Sequence, residues 1–232
     1  MTIKHGMVLA AGLGKRMRPL TLKTPKPLLL INNISLMERS INLLIDHGVQ
    51  EISINVHYLS DQIQSFLKKK KFQAIINISS ETDILLDTGG GVLKGTKQFK
   101  DNPFFVINPD TVWNKNYLEE IKTLEKNYLK NKNPTLLVVN KNLSVDSSFG
   151  GDFNLKNEKI LKSKENQFIF TGLHITRRDI LEREKSKVFS MNKIWNNLIK
   201  VENLNGVESK QKFYHLNSFE MYKKIANLKI ID

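Results

Sequence analysis

Met7-Val-Leu-Ala-Ala-Gly-Leu-Gly-Lys-Arg-Met-Arg-Pro-Leu20, running on to Pro25-Lys-Pro-Leu28, is the stretch on which the fold turns. Its first four residues are an apolar run suited to a strand buried on both faces, the kind found in parallel sheets. Gly12 and Gly14 follow at once, then Lys15, Arg16 and Arg18. Glycine lets a ligand approach the main chain closely. A small-residue turn leaving a strand, with fixed positive charge behind it, is a means of receiving a polyphosphate. The loop is therefore read as the seat of a nucleoside triphosphate.

Outward from that loop the chain alternates. Residues 3–10 read as the first strand. Ser35 caps a helix whose apolar positions Leu36, Ile41, Leu44 and Ile45 recur at helical spacing, and Gly48 ends it. Glu51-Ile-Ser-Ile-Asn-Val56 alternates as a strand, Ser60 opens a second helix, and residues 74–78 form a third strand. This βαβαβ order implies parallel strands with helices on their faces, and ligands beyond the carboxyl ends of the strands. Asp87-Thr-Gly-Gly-Gly-Val-Leu-Lys94 is a second glycine cluster; Thr88 is read as a cap of a helix reaching residue 99, with the glycines allowing close approach of a ligand.

Pro103-Phe-Phe-Val-Ile-Asn-Pro-Asp110 is a buried strand closed by an acid. A helix over 115–130 and a strand over 135–140 follow. Beyond them the sequence predicts a polar hairpin near 150–162, a longer strand over 168–175, helices near 178–184 and 192–201, short strands near Val207 and Phe213, and a helix after Ser218. The expectation is one α/β domain over 1–232. Its sheet is Rossmann-like, mixed and mostly parallel, and flanked by helices. Residues 1–140 form the nucleotide half; 141–232 form a β-rich, sugar-sized lid and a C-terminal helix.

Composition narrows the chemistry. The chain of 232 residues has no cysteine, which excludes disulfides, Cys-ligated zinc, iron–sulfur clusters and a thiol nucleophile. No apolar run approaches a membrane span and no signal segment is evident, so the expectation is a cytoplasmic protein with no membrane partner. The net charge of +13 comes from Lys+Arg 36 against Asp+Glu 23. Its one cationic run, 68–71, falls where a helix should end and lacks interleaved aromatics, so no nucleic-acid partner is expected. Monomer and homodimer both remain open. A Rossmann fingerprint would need glycine where Met17 stands. A P-loop would need glycine at Leu9 and Ser or Thr at Arg16.

Leu9-Ala-Ala-Gly-Leu-Gly-Lys-Arg-Met-Arg-Pro-Leu-Thr21 with Pro25-Lys-Pro-Leu28 resembles the N-terminal signature of the sugar-1-phosphate nucleotidyltransferase family, LAAGxGxRMxPLT followed by PKPL. The Thr88 to Gly91 segment and Gly151-Asp-Phe153 resemble its short, single-domain members. The resemblance implies an enzyme that joins an NTP to a sugar-1-phosphate and releases pyrophosphate. It places base and ribose at Leu9, Ala10, Ala11 and Gly12. The outer phosphates fall at Gly14, Lys15 and Arg16, and Lys26 beside the α-phosphorus. Gly89 and Gly90 are placed at the base, and Asn108, Asp152, Thr171 and Gly172 at the sugar. Asp110 is implied to hold Mg²⁺, with Arg16, Lys26 and Asp110 as the catalytic set. Asn55, His57 and Tyr58 fall in a region that often contacts base or sugar.

Two departures stand out. The family's Asn-Gly-Asp is Asn108-Pro109-Asp110 here, and its second metal carboxylate, near the C-terminus, is replaced by His215. Imidazole suits Mn²⁺ better than Mg²⁺. Three arrangements stay open: metal held by Asp110 and phosphates alone, compensation by an acid such as Asp152, or nucleotide binding without efficient transfer. A cytidylyltransferase acting on a non-sugar phosphate is the other rival.

Overall fold

The computed structural model describes residues 2–100 and 102–228. In chain order the strands are β1 (His5–Leu9), β2 (Leu30–Ile31), β3 (Ile34–Ser35), β4 (Glu51–Val56), β5 (Ile75–Ser80), β6 (Phe104–Ile107), β7 (Thr135–Asn140), β8 (Asn154–Lys156), β9 (Lys159–Leu161), β10 (Phe168–Thr176) and β11 (Asn205–Ser209). The helices are α1 (Leu36–His47), α2 (Ser60–Lys69), α3 (Asp87–Gly95), α4 (Leu118–Asn131), α5 (Arg178–Leu181), α6 (Met191–Lys200) and α7 (Phe219–Ala226).

Among the described residues nine strands form one sheet in the order β5-β4-β1-β6-β10-β7-β11-β9-β8. Strands β5, β4, β1 and β6 are mutually parallel. The sheet then turns mixed, because β10 runs antiparallel to both β6 and β7, while β11 is parallel to β7. The expected lid is thus no separate layer. The β8–β9 hairpin is the far edge of the same sheet, joined through the Asn205–Lys159 pairing.

The fully apolar strands sit where both faces are covered. Val8, Ile52, Ile54, Phe105 and Ile107 pack on one side against α1, α2 and α4. Met7, Phe104, Val106, Leu136 and Val138 pack on the other, with Val92 of α3, Leu181 of α5 and Ile194 and Trp195 of α6. Alternate side chains of each strand serve opposite faces, so such strands read as unbroken apolar runs. Ser35 caps α1 as expected, its Oγ accepting the Glu38 N–H at 3.1 Å, and Gly48 ends the helix at φ 105°.

Several details differ from the sequence reading. Among the described residues no strand forms near Phe213, which makes only an isolated bridge to Ser144. Thr88 lies inside the first turn of α3 rather than capping it, and its Oγ1 accepts the Met191 N–H at 2.9 Å. That helix stops at Gly95, and a short 3₁₀ turn carries the chain to Phe99. The short β2–β3 ribbon was not foreseen; its turn, Asn32-Asn33, has both residues at positive φ, a conformation asparagine tolerates.

Candidate active site

The carboxyl ends of β1, β4, β5 and β6 open on a cleft of about 340 Å³. Leu9, Ala10, Ala11, Gly12, Gly14, Lys15 and Arg16 of the opening loop form one wall; Lys26, Asn108 and Asp110 complete it at the inner end. The loop holds its shape through its own bonds. Gly14 takes φ 61° and its carbonyl accepts the Thr21 hydroxyl at 2.8 Å and the Met17 N–H at 2.9 Å. A Cβ at Gly14 would lie 2.9 Å from Thr21 Cγ2, whereas one at Gly12 would meet nothing within 4 Å. Gly14 therefore serves the turn and Gly12 the open space in front of it. Lys15 and Arg16 are exposed at the rim, and neither forms an ion pair among the described residues. Arg18 does not line the cleft.

A buried polar relay braces the floor. The Ala10 N–H donates to Asn55 Oδ1 at 2.8 Å, Asn55 Nδ2 donates to Glu81 Oε1 at 2.7 Å, and the Leu86 N–H donates to Glu81 Oε2 at 2.9 Å. Three strand ends and the start of α3 are thereby tied together around a carboxylate that is 1 % exposed. Sequence reasoning missed Glu81. A lone acid one residue beyond a strand carries no local signal; only the pairing of β4 with β5 brings it to Asn55. The neighbouring wall is Leu85, Asp87 and Thr88; the sequence reading misses Leu85 and gives Thr88 only as a helix cap.

Gly89 and Gly90, expected at the base, do not line the cleft. They face α6's approach segment instead. Both N–H groups donate to the Phe189 carbonyl, at 2.8 and 3.1 Å. A Cβ at Gly89 would lie 2.4 Å from the Phe189 ring, and one at Gly90 would lie 2.2 Å from the Lys187 carbonyl oxygen. The close approach inferred for these glycines is made to this chain's own backbone.

A second chamber of about 240 Å³ opens on the other side of Asn108 and Asp110. Asp152, Thr171 and Gly172 line it, with His215, Phe149, Phe170 and Trp195. Gly172 sits at an irregularity in β10 between Phe170 and His174, at φ 95°. Its carbonyl accepts the Asn108 N–H at 2.7 Å, and a Cβ would lie 3.0 Å from Asn108 Cβ. The Thr171 side chain is turned into the sheet, its hydroxyl donating to the Leu137 carbonyl at 2.8 Å. Trp195 combines core and chamber: it is 5 % exposed and stacks edge-on against Phe170 with centroids 4.8 Å apart.

Asp110 stands where the two chambers meet. The pairing of Thr111 with His215, and the Leu216 N–H donating to the Asp110 carbonyl at 2.8 Å, lay the C-terminal segment alongside it. Asp110 Oδ2 is 2.8 Å from Lys26 Nζ and 3.2 Å from His215 Nε2. Burial alone would raise the Asp110 carboxyl. The Lys26 ammonium and the His215 imidazole more than offset this and hold it well below the usual carboxylate range. Among the described residues no group of three or more His, Asp or Glu side chains converges to hold a metal ion on protein ligands alone. Asp152 is not a third donor; its Oδ2 accepts the Phe170 N–H at 2.9 Å. Asp110 and His215 nevertheless form an oxygen–nitrogen pair that fits a divalent cation completed by phosphate oxygens.

Residues 5–151 match the family model for nucleotidyl transferases. The chain belongs to the nucleotidyl transferase family. It is an enzyme type that passes a nucleoside monophosphate group between phosphates. Over 206 residues, 84 % of each chain, it is 28 % identical to N-acetylmuramate alpha-1-phosphate uridylyltransferase of Caulobacter vibrioides. It is 38 % identical over 110 residues to the mannose-1-phosphate guanyltransferase of Saccharomyces cerevisiae, a match spanning 46 % of this chain and 30 % of that one. A UDP-glucose pyrophosphorylase solved with UDP-glucose superposes with a TM-score of 0.79 at 19 % identity, covering 97 % of both chains. HddC from Yersinia pseudotuberculosis does so at 0.76 and 24 % identity, covering 97 % of this chain and 98 % of that one. The shared fold is the mixed, mostly parallel sheet flanked by helices. Among the described residues no helix is long and apolar enough to cross a membrane.

Proposed function

We propose that the chain transfers a nucleoside monophosphate from an NTP to a sugar-1-phosphate, giving an NDP-sugar and pyrophosphate. The observation that carries this reading is the common wall of the two chambers: Asn108 and Asp110 line both. A nucleotide in one and a sugar in the other bring two phosphates to the same carboxylate–ammonium pair.

Base and ribose fit the main chain of residues 9–12, where the Gly12 position is open. Lys15 and Arg16 take the outer phosphates at the rim, and Lys26 sits beside the α-phosphorus. The sugar phosphate supplies the nucleophile. Its anionic oxygen forms the new bond to the α-phosphorus as the bond to the β-phosphate oxygen breaks, and pyrophosphate leaves with that electron pair. Such an oxygen needs no strong general base, so the protein's task is in-line positioning and neutralisation of charge. Lys26 does the latter, with Asp110 fixing its ammonium. Asp110 and His215 would hold the divalent cation, Mg²⁺ or Mn²⁺. When bound, that ion neutralises phosphate charge and orients the reactants.

The relatives indicate the pairs to try first: UTP with N-acetylmuramate-1-phosphate, then GTP with mannose-1-phosphate. The test is pyrophosphate release across UTP, GTP, CTP and dTTP against a panel of sugar-1-phosphates, with Mg²⁺ and with Mn²⁺. Turnover of at least one pair is expected. NTP binding without any turnover would overturn the transfer reading. It would support a nucleotide-binding role, which the replacement of a family carboxylate by His215 favours.

A further inference from the structure

The amide of Asn217 stands between two cavities and is held by one end only. Asn217 and Arg16 each line the nucleotide-side cleft and also a neighbouring pocket of about 350 Å³, whose other walls are Asp146, Ser148 and the start of α7. The main chain around Asn217 is pinned on both sides. The Leu216 N–H donates to the Asp110 carbonyl at 2.8 Å, and Ser218 caps α7, its Oγ accepting the Met221 N–H at 3.2 Å. The side chain is fixed by Asp146. Asn217 Nδ2 donates to Asp146 Oδ2 at 2.6 Å, while Asp146 Oδ1 accepts the Ser148 N–H at 3.0 Å and the Ser148 hydroxyl at 2.6 Å. An ionised carboxylate only accepts, so the nitrogen of the amide is the atom that meets it. The oxygen, Oδ1, is left on the other side, buried and with no donor among the described residues. A buried acceptor without a donor is unfavourable, and the cost is removed when a donor is brought to it.

Few donors can reach it. Lys26 is engaged by Asp110 at 2.8 Å, and Lys224 donates to the Val145 carbonyl at 2.9 Å. Lys15 lines the cleft but not the neighbouring pocket. Arg16 lines both, is exposed, and forms no ion pair among the described residues. A guanidinium presents its N–H donors in a planar fork, so one edge can bond an amide while another bonds phosphate.

We propose that Asn217 is a positioning residue for Arg16: with a triphosphate in the cleft, Asn217 Oδ1 accepts a guanidinium N–H and aims the rest of the fork at the outer phosphates. Asp146 acts one step further back, by fixing which end of the amide Arg16 meets. The inference rests on the placement of the outer phosphates at Arg16 in the proposed function and deepens it. The tether reduces the side-chain freedom that a flexible arginine loses on binding phosphate. A nucleoside monophosphate has no outer phosphates and gains nothing from it.

That difference supplies the test. UTP, GTP, CTP, dTTP and their monophosphates are titrated by calorimetry against the full chain with Mg²⁺ present. For the NTP that binds tightest, Asn217→Leu is expected to weaken binding about tenfold and to change binding of its monophosphate less than about twofold, at unchanged melting temperature. In an Arg16→Leu background the same substitution is expected to change NTP affinity less than about twofold, because the group it positions is gone. Asp146→Ala, which frees the amide without altering it, is expected to show the NTP-only loss at about threefold, and it carries the test if Asn217→Leu does not fold. An NTP affinity that neither variant alters overturns the proposal. So does an equal loss for NTP and monophosphate, which marks a structural role. So does a loss that persists in the Arg16→Leu background, which gives the oxygen to another donor such as cation-bound water. In each of these cases the proposed function stands. Failure of the unaltered chain to bind any NTP removes both. NTP binding with the expected pattern but no pyrophosphate release keeps the role of Asn217 and removes the transfer reading.

Discussion

Asp110 Oδ2 and Lys26 Nζ lie 2.8 Å apart although 84 positions separate them in the chain. The pair links the opening loop to the end of β6, at the wall between the two chambers. If Lys26 neutralises the reacting phosphate and Asp110 holds it there, removal of either group lowers turnover more than binding. Asp110→Asn is expected to reduce kcat by at least about 100-fold, with a much smaller change in NTP affinity. Lys26→Met should act similarly, and the double variant should fall well short of the product of the two, because the groups act as a unit. Steady-state kinetics and equilibrium NTP binding on the three variants check this.

Gly12 and Gly14 are two residues apart and should respond differently. Gly14→Ala places a side chain in the left-handed region and against Thr21, and is expected to cost about 1–2 kcal/mol of stability. Gly12→Val projects into open space and should leave the melting temperature nearly unchanged. It should weaken NTP binding by about tenfold or more, since the added methyls occupy the cleft. Denaturant unfolding and nucleotide titration separate the two effects.

The second glycine cluster makes the opposite forecast from the one its sequence suggested. Gly90→Ala would force a methyl onto the Lys187 carbonyl and Gly89→Ala onto the Phe189 ring. Each is expected to destabilise the fold by about 1–3 kcal/mol through displaced backbone. Weaker NTP binding should follow only as far as stability falls. A large loss of affinity at unchanged stability would show that these glycines touch nucleotide.

His174 supplies a pH dependence of folding. Its ring is fully enclosed beside Phe170 and Trp195, with neither nitrogen hydrogen-bonded among the described residues, and burial pushes its pKa down from 6.5 to about 3. The folded state thus keeps the neutral form while the unfolded chain protonates below about pH 6.5. The contribution is complete above that value and is lost as pH falls toward about 3. Between pH 7.5 and pH 5 the loss amounts to about 2 kcal/mol. His174→Phe should flatten the stability profile in this window, as read by urea unfolding at a series of pH values.

Local signals carried the first half of the chain. The apolar run of 7–10, the glycines and cations behind it, the Ser35 and Gly48 caps and the alternation of 51–56 are all properties of neighbours in sequence. That is why β1, α1, β4 and the cleft wall of residues 9–16 were legible. Asp110, Asp152 and His215 were also visible, as residue types at family positions. What they do to one another was not.

The sequence by itself determined that a parallel βαβ sheet presents a glycine-rich, cationic loop, because backbone freedom, period and charge are written within a few residues of one another. Only the tertiary structure decided where those charges meet. The strand order sets β10 between β6 and β7, and this wraps the C-terminal segment back onto residues 110–112. His215 is thereby placed on Asp110, Glu81 on Asn55, and Gly89 and Gly90 on the 187–189 segment. Each of these contacts joins segments that are remote along the chain, and its free energy depends on the whole sheet having formed.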